Sequence, residues 1–151
     1  MLLGTYTHTV DSKGRVFLPA KWRAELGETV IISQATTDIR RGIGLELMSL
    51  EAYDIRKRNL INVSDDNIEA TNLKRAIMYT TSDCDIDKQG RILIPQLLRE
   101  IAKINEEVIL VGMHQSVEIW GTEMWNSFYN GLKNDPTAWN TGITATAKEN
   151  K

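Results

Sequence analysis

The feature that most constrains the fold is a pattern of nine residues that occurs twice in the chain. Residues 11–19 read D-S-K-G-R-V-F-L-P, and residues 87–95 read D-K-Q-G-R-I-L-I-P, an offset of 76 positions. Two later apolar blocks follow in the same order in both halves, 30–32 with 108–110 and 45–48 with 117–120. The chain is therefore a tandem duplication of one unit.

Each copy predicts a β-hairpin, a short helix and two further strands. Gly14 and Gly90 suit the tight turn of a hairpin, since glycine adopts positive φ at little cost. Pro19 and Pro95 suit the first turn of a helix, where the missing N–H costs nothing. We place the first repeat at residues 5–52 and the second at 81–124, with a helix at 65–79 between them. The polar, small-residue segment 140–151 predicts a disordered tail.

One copy alone has too few apolar residues to bury a core, so the two copies are expected to share one. Residues 16–18 and 92–94 are apolar on both strand faces, which is typical of central strands. We therefore expect an α+β, β-rich fold. Its predicted form is one pseudo-twofold domain, in which β-hairpins of the two tandem repeats interlock.

Composition sets limits on location and partners. The formal net charge is -2, whereas a typical DNA-binding domain is strongly basic, so a DNA interface would have to be local. The single cysteine, Cys84, fits a reducing compartment. The first ten residues do not read as a signal peptide, and no apolar run approaches the roughly 18 residues of a membrane helix. We expect a cytoplasmic protein without a membrane partner.

The sequence gives little support to catalysis. It contains no phosphate-binding loop, nucleophile elbow or H-E-x-x-H motif. Asp83, Asp85 and Asp87 alternate along a predicted strand, but a solvated acidic edge explains them more simply than a cation site. We expect no enzyme activity and therefore no catalytic residue, metal, cofactor or small-molecule substrate.

The doubled D-x-x-G-R motif, followed each time by three apolar residues and proline, resembles the MraZ family. Leu3-Gly4-Thr5-Tyr6 and Pro19-Ala20-Lys21-Trp22-Arg23 fit that family as well. The resemblance implies two AbrB-like (SpoVT-AbrB) swapped-hairpin units in one chain, which together form a pseudo-twofold double swapped-hairpin barrel with short flanking helices. It also implies a ring-shaped homo-oligomer, associated with the nucleoid, that binds repeated boxes in double-stranded DNA ahead of the division and cell-wall gene cluster.

Arg15 is the first candidate for a DNA contact. It follows the glycine of the first turn, and its guanidinium can pair with guanine or clamp a phosphate. The alternative is that Arg15 bonds Asp11 or Asp87 and holds the fold. Residues 1–26 carry a net charge of +2, which favours the first copy. The other candidates in that copy are Lys13, Gly14, Lys21 and Arg23.

The second copy is less basic. Residues 85–107 carry a net charge of -1, so the motif residues Asp87, Gly90 and Arg91 are assigned either a structural role or a DNA contact. In the structural alternative, Arg91 bonds Asp11 across the pseudo-twofold axis.

Three functions remain open from the sequence. The first is a sequence-specific DNA-binding transcriptional regulator. The second is a protein-binding module of swapped-hairpin type, similar in build to antitoxins. The third is a structural oligomer without a nucleic-acid role, which the acidic composition favours.

Overall fold

The computed structural model describes residues 1–35 and 44–149 of the chain. The strands are β1 (Thr5–Thr9), β2 (Arg15–Phe17), β3 (Thr29–Gln34), β4 (Leu45–Ser49), β5 (Ser82–Asp85), β6 (Arg91–Leu93), β7 (Glu107–Gly112) and β8 (Val117–Gly121). The helices are α1 (Ala20–Leu26), α2 (Leu50–Arg56), α3 (Arg58–Ile61), α4 (Ile68–Tyr79), α5 (Gln96–Ile101), α6 (Thr122–Lys133) and α7 (Pro136–Glu149). The predicted α+β class and the order of elements in each copy are confirmed.

The strands of the two copies are interleaved. Six of them form one antiparallel sheet in the order β1-β7-β8-β4-β3-β5, and β2 and β6 form a separate two-stranded ribbon. The pairs β1–β7, β4–β8, β3–β5 and β2–β6 each join a strand of the first copy to a strand of the second. The copies therefore cannot be pulled apart without breaking main-chain hydrogen bonds.

The register of these pairs is symmetric between the copies. In the ribbon, Val16 lies opposite Ile92, its equivalent in the repeat. The N–H of Leu18 donates to the carbonyl of Gly90, and the N–H of Ile94 donates to the carbonyl of Gly14, each at 2.9 Å. The expected pseudo-twofold relation therefore runs through the centre of the ribbon.

The predicted barrel is not confirmed. The six-stranded sheet is open, with β1 and β5 at its edges. After the turn at Asp11–Gly14, β2 does not continue as the ladder partner of β1, because it pairs with β6 instead. The turn itself forms as expected, with Gly14 at φ +90°.

One core is shared by the ribbon, one face of the sheet, α1 and α5. Alternate positions of the central strands are fully buried, as the two-residue period of a strand requires. The cluster includes Val16, Trp22, Val30, Ile32, Leu45, Leu47, Ile92, Leu98, Val108, Leu110, Val117 and Ile119. The expectation that both copies contribute to a single core is confirmed.

The C-terminal segment differs from the expected disordered tail. Residues 136–149 form α7, which is exposed along its length. Asp135 accepts a hydrogen bond from the N–H of Ala138 at 3.1 Å, and Pro136 begins the helix. An aspartate N-cap followed by proline is a helix-start signal that the composition of the segment concealed. Residues 150 and 151 lie outside the described part of the chain.

Within residues 1–35 and 44–149, no helix is long and apolar enough to cross a membrane.

Two neighbouring residues of β6 test the two faces of the ribbon. Ile92 is 1% exposed, so Ile92→Ala should lower the free energy of unfolding by about 2–5 kcal/mol. Leu93 is 51% exposed, so Leu93→Ala should change it by roughly 0.5 kcal/mol or less. Denaturant titration followed by circular dichroism measures both. Equal losses would contradict the assignment of faces.

Candidate nucleic-acid interface

The outward face of the β2–β6 ribbon gathers the motif residues of both copies. Val16 and Ile92 point into the core, so their neighbours in each strand point away from it. We call Arg15, Phe17, Arg91 and Leu93 the ribbon face. Arg15 lies opposite Leu93 in the register, and Phe17 lies opposite Arg91.

In the first turn, Asp11 fixes both the backbone and Arg15. One carboxylate oxygen accepts the N–H groups of Lys13 and Arg15, each at 2.9 Å. The other accepts the Nε–H of Arg15 at 2.7 Å. The Arg15 side chain keeps 32% of its exposure. Among the described residues, no acceptor bonds its terminal amino groups, which therefore face solvent.

The second turn repeats this arrangement. One oxygen of Asp87 accepts the N–H groups of Gln89 and Arg91, and the other accepts the Nε–H of Arg91 at 2.9 Å. The carboxylate that holds Arg91 is therefore in its own turn. The alternative in which Arg91 bonds Asp11 across the axis is wrong, because that carboxylate is occupied by Arg15.

The hydrogen bonds lower the pKa of both turn aspartates. The N–H of Arg15 has the largest effect on Asp11, and with the Arg15 side chain and the N–H of Lys13 it lowers the pKa from 3.8 to about 2. The pKa of Asp87 is also lowered, first by the N–H of Arg91. Both turns thus keep their ionised acceptor throughout the physiological pH range.

A helix arginine from each copy lies against the glycine turn of the other copy. A Cβ on Gly14 would lie 2.6 Å from Nε of Arg99, and a Cβ on Gly90 would collide with the guanidinium of Arg23. Arg99 also donates to the carbonyl of Ile94 at 3.0 Å. The sequence predicts Arg23 as a DNA contact of the first copy. The structure instead places it, half-buried, at the second turn.

The candidate lysines have different surroundings. Lys13 is exposed in the first turn, beside Arg15. Lys21 is exposed on α1, with its ammonium 5.4 Å from the centre of the Tyr6 ring, so it lies outside the turns. Lys88, which is not among the candidates predicted from the sequence, is exposed in the second turn. The offset of 76 does not align these lysines, since Lys88 corresponds to Ser12.

Together the two turns and the arginines against them form a basic surface. It holds six basic residues and two acidic ones, and both acids already bond arginines of the surface. The basic residues are Lys13, Arg15, Arg23, Lys88, Arg91 and Arg99. Glu106 and Glu28 also lie near the turns, because their carbonyls accept the N–H groups of Val10 and Ile86, but the basic residues of the surface come from both copies. The basic character is therefore a property of the ribbon and not of the first copy alone.

A second basic run, R-K-R at residues 56–58, lies where α2 ends and α3 begins, and its simplest interpretation from the sequence is a solvated helix face. Two of its members instead approach the buried carboxylate of Glu46, Arg56 at 3.4 Å and Lys57 at 3.8 Å. Glu46 lies opposite Glu118 in the sheet. Burial raises the pKa of Glu118, and Glu46 adds to the effect. The positive charges of Arg56 and Lys57 therefore compensate the negative charge of the buried Glu46 carboxylate, so neither residue is a candidate for a DNA contact.

The fold and this surface define a class: an interleaved two-copy β protein with a basic, twofold-related ribbon on its outside. Comparison with known proteins gives the family. The model of the family described as "MraZ protein, putative antitoxin-like" matches residues 1–76 and 77–141. The chain belongs to the MraZ family.

Curated relatives agree with this assignment, and each is named Transcriptional regulator MraZ. The protein of Thermoanaerobacter sp. is 41% identical over 130 residues, 86% of this chain and 87% of that protein. The protein of Carboxydothermus hydrogenoformans is 37% identical over 133 residues, 88% and 90% of the two chains. The solution structure of PHS018 from Pyrococcus horikoshii covers 80% of this chain and 92% of its own, at 18% identity and a TM-score of 0.33.

The pKa of Asp11 tests the geometry of the first turn. An NMR titration of its carboxyl group should give a pKa of about 2. Arg15→Ala removes the side-chain bond and the positive charge but keeps the backbone N–H, so the pKa should rise and still stay below 3.8. Because the folded-state pKa is lowered, the stabilisation from Asp11 is complete above pH 3.8 and is lost as the pH falls towards 2. A pKa near 3.8 in the unaltered protein would contradict the bonded turn.

Proposed function

We propose that this chain is a DNA-binding transcriptional regulator and that the ribbon face, with its two flanking turns, is the surface that contacts DNA. The observation that carries the proposal is the gathering of six basic residues around one exposed β-ribbon in a protein whose net charge is -2. The regulator names of its relatives support the same conclusion.

The geometry of Arg15 suits base recognition. Its Nε is bonded to Asp11, which restrains the guanidinium, while its terminal amino groups face solvent. A restrained arginine loses less conformational entropy when it binds, so more of the favourable free energy of the contact appears as affinity. Arginine bonds O6 and N7 of guanine in the major groove, a groove wide enough for a two-stranded β-ribbon. Arg91 makes the same bond to Asp87, and its guanidinium also lies against the Phe17 ring; we assign it the same role.

The lysines and glycines of the turns have supporting roles. Lys13 and Lys88 are exposed beside the arginines and would contact phosphates, which supply affinity without sequence information. Gly14 and Gly90 leave room for Arg99 and Arg23, which add positive charge behind the turns. Lys21 on α1 is a candidate for a more distant phosphate contact.

A single ribbon makes few phosphate contacts, so strong binding requires several copies. A ring-shaped homo-oligomer would present the ribbon face repeatedly to DNA that carries spaced boxes, and avidity can then rise by about 10²–10⁴-fold. Exposed apolar residues outside the ribbon are available for contacts between copies. On α6 and α7 they are Phe128, Tyr129, Trp139 and Ile143.

The remaining parts of the proposal follow from the resemblance. The repeats, at residues 5–52 and 81–124, are of the SpoVT-AbrB swapped-hairpin type, and the cross-copy pairing of β2 with β6 supports this. The boxes lie ahead of the division and cell-wall gene cluster, so the protein would be cytoplasmic and associated with the nucleoid.

Arg15→Ala should abolish binding to the DNA upstream of the chain's own gene, because it removes a guanine or phosphate partner from every copy in the assembly. A mobility-shift titration measures this, with Arg75→Ala as a matched control. Arg75 is exposed on α4 and bonds Asn72, away from the ribbon. The thermal midpoint and the sedimentation coefficient should be unchanged in both variants.

Loss of folding in Arg15→Ala would show that Arg15 is a structural residue. Binding that is equally weak in Arg75→Ala would show that total charge, and not the ribbon, determines affinity.

The family description favours a second candidate, a protein-binding module of antitoxin type. Isolation of the native protein with a stoichiometric protein partner, together with no shift of the upstream DNA, would support that candidate over the regulator.

A further inference from the structure

The ribbon face carries two large apolar side chains that the core does not use. Phe17 is 47% exposed and Leu93 is 51% exposed. They are equivalent positions of the repeat, so apolar character recurs at this place in both copies. Burial of such side chains on binding would be favourable, which makes them candidates for contact with a partner.

Arginines border both apolar side chains. Leu93 lies opposite Arg15, and the guanidinium carbon of Arg91 is 5.8 Å from the centre of the Phe17 ring. If two copies met through this face, four arginines would converge, and charged residues are depleted from the centres of protein interfaces. The charge of the face instead favours an anionic partner that presents small apolar groups.

The dimensions of the ribbon fit the major groove of DNA. The turns lie at opposite ends of the ribbon, since Gly14 receives a hydrogen bond from Ile94 and Gly90 receives one from Leu18. From Gly14 to Leu18 the chain advances four residues, about 13 Å at 3.3 Å per residue. The groove is about 12 Å wide. The basic turns can therefore reach the two phosphate backbones while the residues between them face the base edges.

The major groove presents one apolar group on its floor, the C5-methyl group of thymine. We infer that Phe17 and Leu93 contact thymine methyl groups beside the bases that Arg15 and Arg91 bind, so that part of the sequence preference is apolar. This inference rests on the proposed function and adds to it two specificity-determining residues.

Replacing thymine by deoxyuridine tests the inference, because it removes the methyl group and keeps every hydrogen-bonding atom of the base. The probe is the duplex upstream of the chain's own gene, made once with thymine and once with deoxyuridine. The unaltered protein should bind the deoxyuridine duplex more weakly, by about fourfold for each contacted methyl group in a single box. Position-by-position replacement within a box should locate the effect at one or two thymines.

Variants then assign the effect to residues. Phe17→Ala and Leu93→Ala should each bind the thymine duplex more weakly. Each should also lose sensitivity to replacement of its own thymine, since that methyl group then has no partner, and keep the sensitivity that belongs to the other residue. Leu73→Ala is the matched control, because Leu73 is exposed to a similar extent, 49%, and lies on α4. It should keep the full difference between the two duplexes.

Several outcomes would overturn the inference. If Phe17→Ala weakened binding to both duplexes equally, Phe17 would act by positioning Arg91 and not by contacting a methyl group. If Phe17→Ala or Leu93→Ala changed the sedimentation coefficient instead of DNA affinity, the face would be a contact between copies. Equal affinity of the unaltered protein for both duplexes would reject methyl recognition and leave the regulator proposal standing. Absence of DNA binding by the unaltered protein would reject the proposed function itself.

Discussion

The antiparallel pairing of β2 with β6 is the interaction on which the rest of the structure depends. It joins the two copies at equivalent residues, Val16 opposite Ile92, and both side chains are buried in the shared core. Because alternate residues of a strand point to opposite faces, burying these two forces their neighbours outward. The contact that completes the core therefore also creates the ribbon face.

The bond between aspartate and arginine in each turn mainly orients the arginine side chain and contributes little to the stability of the fold. Ion pairs as exposed as Asp11–Arg15 contribute little to the free energy of unfolding. The same aspartate, however, also accepts two backbone N–H groups, so the shape of the turn and the direction of the arginine are set together. Engagement through Nε alone keeps the outer edge of the guanidinium accessible.

Much of this could be predicted from the sequence, because the repeat is explicit. The two D-x-x-G-R motifs predicted the turns and singled out Arg15 and Arg91. The proline after each motif predicted the short helix, and the small number of apolar residues in each copy predicted the shared core. Alternation within a strand says which faces are apolar but not which strand lies alongside. The strand order was therefore not predictable from the residues, and the barrel implied by the resemblance is not what the sheet forms. The contacts of Arg23 with Gly90 and of Arg99 with Gly14 join residues far apart in the chain, and no local pattern indicates them. The one available signal was that Arg23 and Arg99 are separated by the same 76 positions as Gly14 and Gly90.

The arginines of the ribbon face are symmetric, but its apolar residues are not. Arg15 and Arg91 are related by the pseudo-twofold relation, whereas their neighbours are an aromatic ring at Phe17 and a smaller aliphatic side chain at Leu93. On the proposed function, one end of the ribbon fits its half of a box differently from the other, so one orientation on the duplex is preferred. In a ring closed by head-to-tail contacts, successive copies keep the same direction around the ring. The ribbon face has symmetric charges and asymmetric apolar side chains. It is therefore suited to DNA boxes repeated in one direction, because every copy in such a ring can bind its box in the preferred orientation.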